Sequence, residues 1–164
     1  MRTLFLFILS FALFTPPAQA ASVKTIDENG ILELQSGEKI CLAGIELPSE
    51  SIRLLSSLVA GRKIDIDYAK TAKTQNLKSA YLYITTPVFH FPPAANAKPE
   101  QKKIMVNEFL LSIGAAKVGE AEKKWKDRFE KIQLEARRRG EGIWSYDLDH
   151  AGLKGKPRQE GEGS

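Results

Sequence analysis

The sequence predicts an α+β fold, a small five-stranded β-barrel capped by three helices. Three observations carry that expectation. Between Val23 and Tyr83, apolar and polar residues alternate in short runs separated by turn residues, the pattern of a sheet with one buried face. Three other stretches change to apolar spacings of three and four, the helical period. The chain has 164 residues, 43% of them hydrophobic and 27% charged, which gives room for one ordinary domain and excludes collagen-like and wholly disordered chains.

The elements follow in order. A first strand, Val23 to Ile26, ends at Asp27-Glu28-Asn29-Gly30. Ile31 to Leu34 comes next, and Ser36-Gly37 turns the chain into a third strand, Lys39 to Ile45, with Ile40 and Leu42 facing one way. The polar run Pro48-Ser49-Glu50-Ser51 then opens a helix of about ten residues, with Ile52, Leu55, Leu58 and Val59 on one face and Gly61 beyond its end. Lys63 to Tyr68 is the fourth strand, with Ile64, Ile66 and Tyr68 on one face and Asp65 and Asp67 on the other; Ala80 to Thr85 is the fifth. A second helix is expected over Val106 to Ile113, stopped by Gly114. Trp125, Phe129, Ile132 and Ala136 share one face of a third helix that ends at Gly140 and docks on the sheet. Thr86 to Lys103 contains Pro87, Pro92, Pro93 and Pro99 with little periodicity and reads as a long loop. His150 to Ser164, rich in Gly, Lys and Glu, reads as a disordered tail.

The first 20 residues read as a secretory signal peptide: Met1-Arg2, an apolar run from Leu4 to Phe14, then a small-x-small site ending at Ala20. Cleavage is expected after Ala20, leaving a folded domain over 21–149. The 11-residue apolar run is too short to cross a bilayer, which needs about 20. The expectation is therefore an exported protein, periplasmic or secreted, with no stable membrane insertion after cleavage. Cys41 is the single cysteine, so no intrachain disulfide can form, and its apolar neighbours Ile40 and Leu42 suggest a small core residue. The net charge of +4 is only a mild bias toward polyanionic partners.

Five short strands, a helix between the third and fourth, and two helices after the fifth describe an OB-type barrel with a helical cap. Within that order, Lys39-Ile40-Cys41-Leu42-Ala43-Gly44-Ile45-Glu46-Leu47-Pro48 resembles the "V-R-L-A-G-I-D-A-P" signature of staphylococcal nuclease (thermonuclease) homologues. Met105-Val106-Asn107-Glu108-Phe109-Leu110 with Gly114-Ala115-Ala116-Lys117-Val118 resembles that family's "M-V-N-E-A-L…G-L-A-K-V". Glu135-Ala136-Arg137 through Gly142-Ile143-Trp144 resembles the ending of its last helix, and Ala80-Tyr81-Leu82-Tyr83 its fifth strand.

The resemblance implies a fold and a chemistry. The family hydrolyses DNA and RNA phosphodiesters with a bound calcium ion, two phosphate-gripping arginines and a glutamate that activates water. Carried over by position, the first calcium carboxylate falls on Gly30, with Glu28 nearby, and the first arginine falls on Cys41. The second calcium carboxylate is kept in kind as Glu46. Ser49 occupies the glutamate position, with Glu50 one residue late; Leu77 occupies the second arginine position, with Lys78 one residue late. The fold motifs are retained while most of the catalytic set is missing.

The resulting reading is an exported nuclease-like module that lacks nuclease activity and contacts a macromolecule, with nucleic acid among the candidates. Two alternatives stay open. One is an active calcium-dependent nuclease in which Glu46 holds the ion, Glu50 activates water and Lys78 grips phosphate. The other is an envelope scaffold protein. Elsewhere, Asp65 and Asp67 read as solvated strand edges without basic company. The mixed charges of the last helix read as a solvated face, and Tyr68, Tyr81 and Tyr83 as core residues in part. His90 and His150 have no partner at metal-ligand spacing.

Overall fold

In the computed structural model, residues 19–70, 77–88 and 100–145 are described. The strands are β1 (Gln19–Ile26), β2 (Leu32–Leu34), β3 (Lys39–Leu42), β4 (Ile45–Glu46), β5 (Lys63–Tyr68), β6 (Lys78–Val88), β7 (Glu100–Met105) and β8 (Lys117–Val118). The helices are α1 (Ile52–Val59), α2 (Val106–Ser112) and α3 (Lys123–Arg139), with 3-10 turns at Ser49–Ser51 and Gly142–Trp144.

The sheet runs β3-β2-β1-β5-β6-β7, and β6 also pairs with β3, so five strands close into a barrel. The closing β3–β6 seam is parallel and short, with Ile40, Cys41 and Leu42 opposite Lys78, Ser79 and Ala80. β6 can serve three neighbours because it is long: residues Ala80 to Ile84 pair with β5, and Tyr83 to Val88 continue onto β7. The expected OB-type barrel with a three-helix cap is thus the observed fold.

Alternation places Leu32, Leu34, Ile40, Leu42, Ile64, Ile66, Leu82 and Ile84 inside the barrel, all buried. Each such side chain contributes about 1.5–3 kcal/mol of transfer free energy. In β1 the phase changes, so that Val23 and Ile26, three residues apart, both pack on the core. A register shift between Val23 and Thr25 is the cause, one extra residue turning the following side chain to the inner face. Paired backbone in β1 begins at Gln19, two residues before Ala21, which follows the expected cleavage point.

Three expectations change. The third strand stops at Leu42; the chain turns at Ala43-Gly44, and Ile45–Glu46 pairs with Lys117–Val118 in a separate two-stranded ladder. The Pro-rich segment is not loop from end to end, because Thr86 to Val88 and Glu100 to Lys103 extend the β6–β7 pair. Pro87 fits within this outer part of β6, away from the barrel, where a missing N–H costs least. Cys41 is not a core residue: Ile40 and Leu42 point inward, so the period of two sends Cys41 outward, half-buried. The disordered-tail expectation for 150–164 lies outside the described residues, as do the signal peptide residues 1–18.

The helical cap is fixed to the seam by one polar side chain. Asn107 of α2 is fully buried; its Nδ2 donates to Ala43 O at 2.9 Å and Ala80 O at 3.4 Å, and its Oδ1 accepts from Leu82 N at 3.0 Å. α3 then lies over α2, its Trp125 and Phe129 rings against Tyr81 of β6, with Phe129 and Ala136 buried. Trp125 and Ile132, expected on the docked face, are only half-buried. Gly140 closes α3 in a left-handed conformation, φ +64°. Gly114 packs directly on the turn after α3, since a Cβ on Gly114 would lie 2.0 Å from Glu141 O. Among the described residues, no helix is long and apolar enough to cross a membrane.

Candidate functional site

The turn after β1 is organised by Asp27, whose Oδ1 accepts the backbone N–H of Asn29 and of Ile31, both at 2.9 Å. This local use of the carboxylate, with Gly30 N–H donating to Asp27 O at 3.0 Å, makes a tight turn that needs φ +74° at Gly30. Gly30 is buried against Leu47 and presents no side chain, while Glu28 beside it is exposed.

Cys41 faces Ser79 across the parallel seam, with Sγ 3.5 Å from Ser79 Oγ. Two short neutral side chains meet where the resemblance places a guanidinium. Glu46 lies exposed in β4, opposite Lys117 and against Gly119 of the following segment. Ser49 and Glu50 are exposed on the 3-10 turn before α1, and Ser49 Oγ is 3.4 Å from Glu50 Oε2. Leu77 is half-buried just before β6.

Lys78 has other company. Its Nζ lies 2.9 Å from Glu38 Oε1 and 5.0 Å from the centre of the Tyr68 ring, and Tyr68 donates its hydroxyl to Glu38 Oε2 at 2.9 Å. Burial, together with the Glu38 hydrogen bond and charge, pushes the Tyr68 phenol up to about 12. This lysine, tyrosine and glutamate form a closed set at one end of the barrel, with Tyr68 on the same face of β5 as Ile64 and Ile66 and packed against the core.

The structure collects a different group beside the seam. A cleft of about 420 Å³ is walled by Glu46, Glu120, Glu122, Ser79 and Tyr81, with Leu42 and Ile45 on its apolar side. Neither Glu50 nor Lys78 lines it, and no lysine or arginine does among the described residues. Glu122 Oε1 accepts the Lys70 backbone N–H at 2.7 Å, and its Oε2 lies 3.4 Å from Lys124 Nζ. The Lys70 hydrogen bond holds the Glu122 carboxyl below its usual range against the opposing effect of burial, and Lys124 adds to it.

Tyr81 is fully buried, with its ring 5.5 Å from Trp125 and 6.2 Å from Phe129. Its hydroxyl lies close to Glu122 without a hydrogen bond of acceptable geometry to any group. Burial, reinforced by the Glu122 and Asp67 carboxylates, pushes this phenol up to about 12.

Sequence reading brought out Glu46 and Cys41 but passed over Glu120 and Glu122, which looked like part of the mixed charge of the last helix. Their placement follows from Gly119, where the chain closes on Glu46 and delivers both acids to one wall. The acidic expectations also change, while the reading of the tyrosines as core residues in part agrees with the full burial of Tyr81. Asp65 and Asp67 have basic partners, Lys103 at 2.6 Å and Lys124 at 3.5 Å, brought by β7 and α3. Tyr68 and Tyr83 are half-buried under Lys78 and Lys103, and Tyr81 is covered by α3, so none offers an open stacking face. Charges on α3 pair across elements, as Arg128 does with Glu108. His90 and His150 lie outside the described residues.

The residues present do not fit a calcium ion of the kind the resemblance implies. Calcium takes six to eight oxygen ligands within about 2.6 Å. Gly30 supplies no carboxylate, and no three acidic, histidine or cysteine side chains come close enough to share a metal among the described residues. Among its described lining residues the cleft offers dispersed carboxylates and two hydroxyls.

Comparison with known families matches the chain to the model of the staphylococcal nuclease homologues over residues 49–146, more than half of the chain. Gly30, Cys41 and Glu46 precede that stretch, so their positional readings rest on the motif around Ala43-Gly44-Ile45. No curated protein matches the chain.

Proposed function

The chain belongs to the staphylococcal nuclease homologue family, and from that premise we propose that it is an exported member without nuclease activity that serves as a binding module. One observation carries the proposal: the cleft beside the β3–β6 seam is walled by Glu46, Glu120 and Glu122 with no guanidinium among its described lining residues. Phosphodiester cleavage needs positive charge aimed at the phosphate as it gains charge in the transition state. Here Cys41 and Ser79 occupy that quarter, and three carboxylates raise the energy of an incoming phosphate. The shifted residues of the active-nuclease alternative do not help, since Lys78 is committed to Glu38 and Tyr68, and Glu50 is outside the cleft lining. A nucleic-acid partner would have to use another face.

Loss of one preorganised charge-stabilising group costs about 100 to 1,000-fold in rate. The expected result is therefore that purified protein leaves plasmid and single-stranded DNA intact with calcium present, as it does with calcium chelated. Chelator-sensitive cleavage that Glu46→Gln abolishes would overturn the proposal. Export is checked separately by the N-terminal residue of protein from the cell envelope, expected to be Ala21.

A further inference from the structure

We infer that folding locks the signal cleavage site of this chain, so that the Ala20–Ala21 bond is cut before the barrel closes and the chain crosses the membrane unfolded. The inference rests on the reading of residues 1–20 as a signal peptide, and it adds the order in which export, cleavage and folding take place. Signal cleavage hydrolyses one amide: water adds across the bond, leaving a carboxylate on Ala20 and an ammonium on Ala21. That amide lies inside β1, where Gln19, Ala20, Ala21 and Ser22 stand opposite Ile66, Asp65, Ile64 and Lys63 of β5.

Three restraints hold the bond there. β5 is itself paired on its other side with β6, from Ile64 to Tyr68, so it does not move away with β1. Ser22 O accepts the Gln35 N–H at 3.0 Å, which ties the chain just past the junction to the turn between β2 and β3. Successive strand residues turn their backbone groups to opposite sides, so this bond directs the Ala21 N–H, the nitrogen that leaves on cleavage, toward Ile64 of β5. The Ala21 side chain, in turn, packs on the core. A peptidase has to seat the residues on both sides of the bond in its own cleft as extended chain, and a strand already paired has no free backbone to offer on that side. Cutting the folded chain therefore waits on local opening of β1, and its rate follows the opened population.

The test follows the appearance of the Ala21 N-terminus by mass spectrometry when detergent-solubilised signal peptidase acts on three forms of the full-length chain. The first is the folded precursor. The second is a folded precursor with Gly-Ser-Gly-Ser-Gly-Ser inserted between Ala21 and Ser22, which moves the junction out of the ladder. The third is the double variant Asn107→Ala/Phe129→Ala, chosen to keep the barrel unfolded. The folded precursor should be cut at least about tenfold more slowly than the other two, because opening limits its rate. A folded precursor cut as fast as the insertion variant overturns the inference and leaves export standing. Slow cutting of the insertion variant as well would put the protection outside β1 and overturn it too. If none of the three is cut at Ala20–Ala21, the export reading itself fails and the inference falls with it.

Discussion

Asn107 and Tyr81 are both fully buried polar side chains on the cap side of the barrel, and they are treated in opposite ways. Asn107 is saturated by the protein: Ala43, Ala80 and Leu82 take up its amide from both ends. Tyr81 has its ring clustered with Trp125 and Phe129, yet its hydroxyl, beside Glu122, makes no hydrogen bond of acceptable geometry. Buried polar groups in folded proteins are nearly always satisfied, so the exception carries information. The seam region is complete as folded, whereas beside the cleft the Tyr81 hydroxyl makes no hydrogen bond of acceptable geometry, and its neighbour Glu122 is taken up by Lys70 N–H and Lys124.

The sharpest way to break this comparison is to remove the satisfied side chain. Asn107→Ala strands Leu82 N–H and Ala43 O inside the protein, and at about 1–3 kcal/mol for each buried group the loss should be roughly 2–6 kcal/mol, read from urea denaturation midpoints. An unchanged midpoint would mean that α2 is not tied to the seam. Next in size is Phe129→Ala, which empties a fully buried ring site where α3 docks. About 3–5 kcal/mol is expected, measured the same way, and a loss below 1 would place α3 elsewhere.

The smallest effect belongs to Tyr81→Phe, which deletes only an unpartnered hydroxyl. Stability should stay level or rise by up to about 1 kcal/mol, the opposite sign to Asn107→Ala. Ultraviolet titration offers a second reading. The Tyr81 phenol is raised from the ordinary 10.0 to about 12 in the folded state, so it favours the folded chain below pH 10, and that contribution fades as pH rises through 12. The variant should lose one late-ionising tyrosine; if an early one disappears instead, the hydroxyl is open to solvent.

Much of the barrel was legible in sequence because burial on one side of a strand writes itself at a period of two. Ile40, Leu42, Ile64 and Ile66 were identified as an inner face and are one. The same rule, applied to Cys41, gives an outward side chain; grouping it with its apolar neighbours overrode the alternation. Gly114 and Gly140 mark helix ends in sequence because both take positive φ there. The two-residue strands β4 and β8 had no such signature, since a period cannot be read from two residues. Pro87 and its neighbours hid the outer half of β6–β7, because local breaker signals outweigh pairing that exists only through a distant strand.

Sequence by itself determined that Gly30, Cys41 and Leu77 bring no carboxylate or guanidinium to the positions where the resemblance places one, whatever the fold does with them. It also determined the barrel and the number of helices, through periodicities that depend only on neighbours along the chain. Tertiary structure alone decided where the remaining charges went. Lys78 was drawn to Glu38 and Tyr68, Lys103 and Lys124 to Asp65 and Asp67, while Glu120 and Glu122 were carried beside Glu46 by the close approach of Gly119. Electrostatic partnership is fixed by distances of a few ångströms across elements far apart in sequence, and no local pattern encodes those distances.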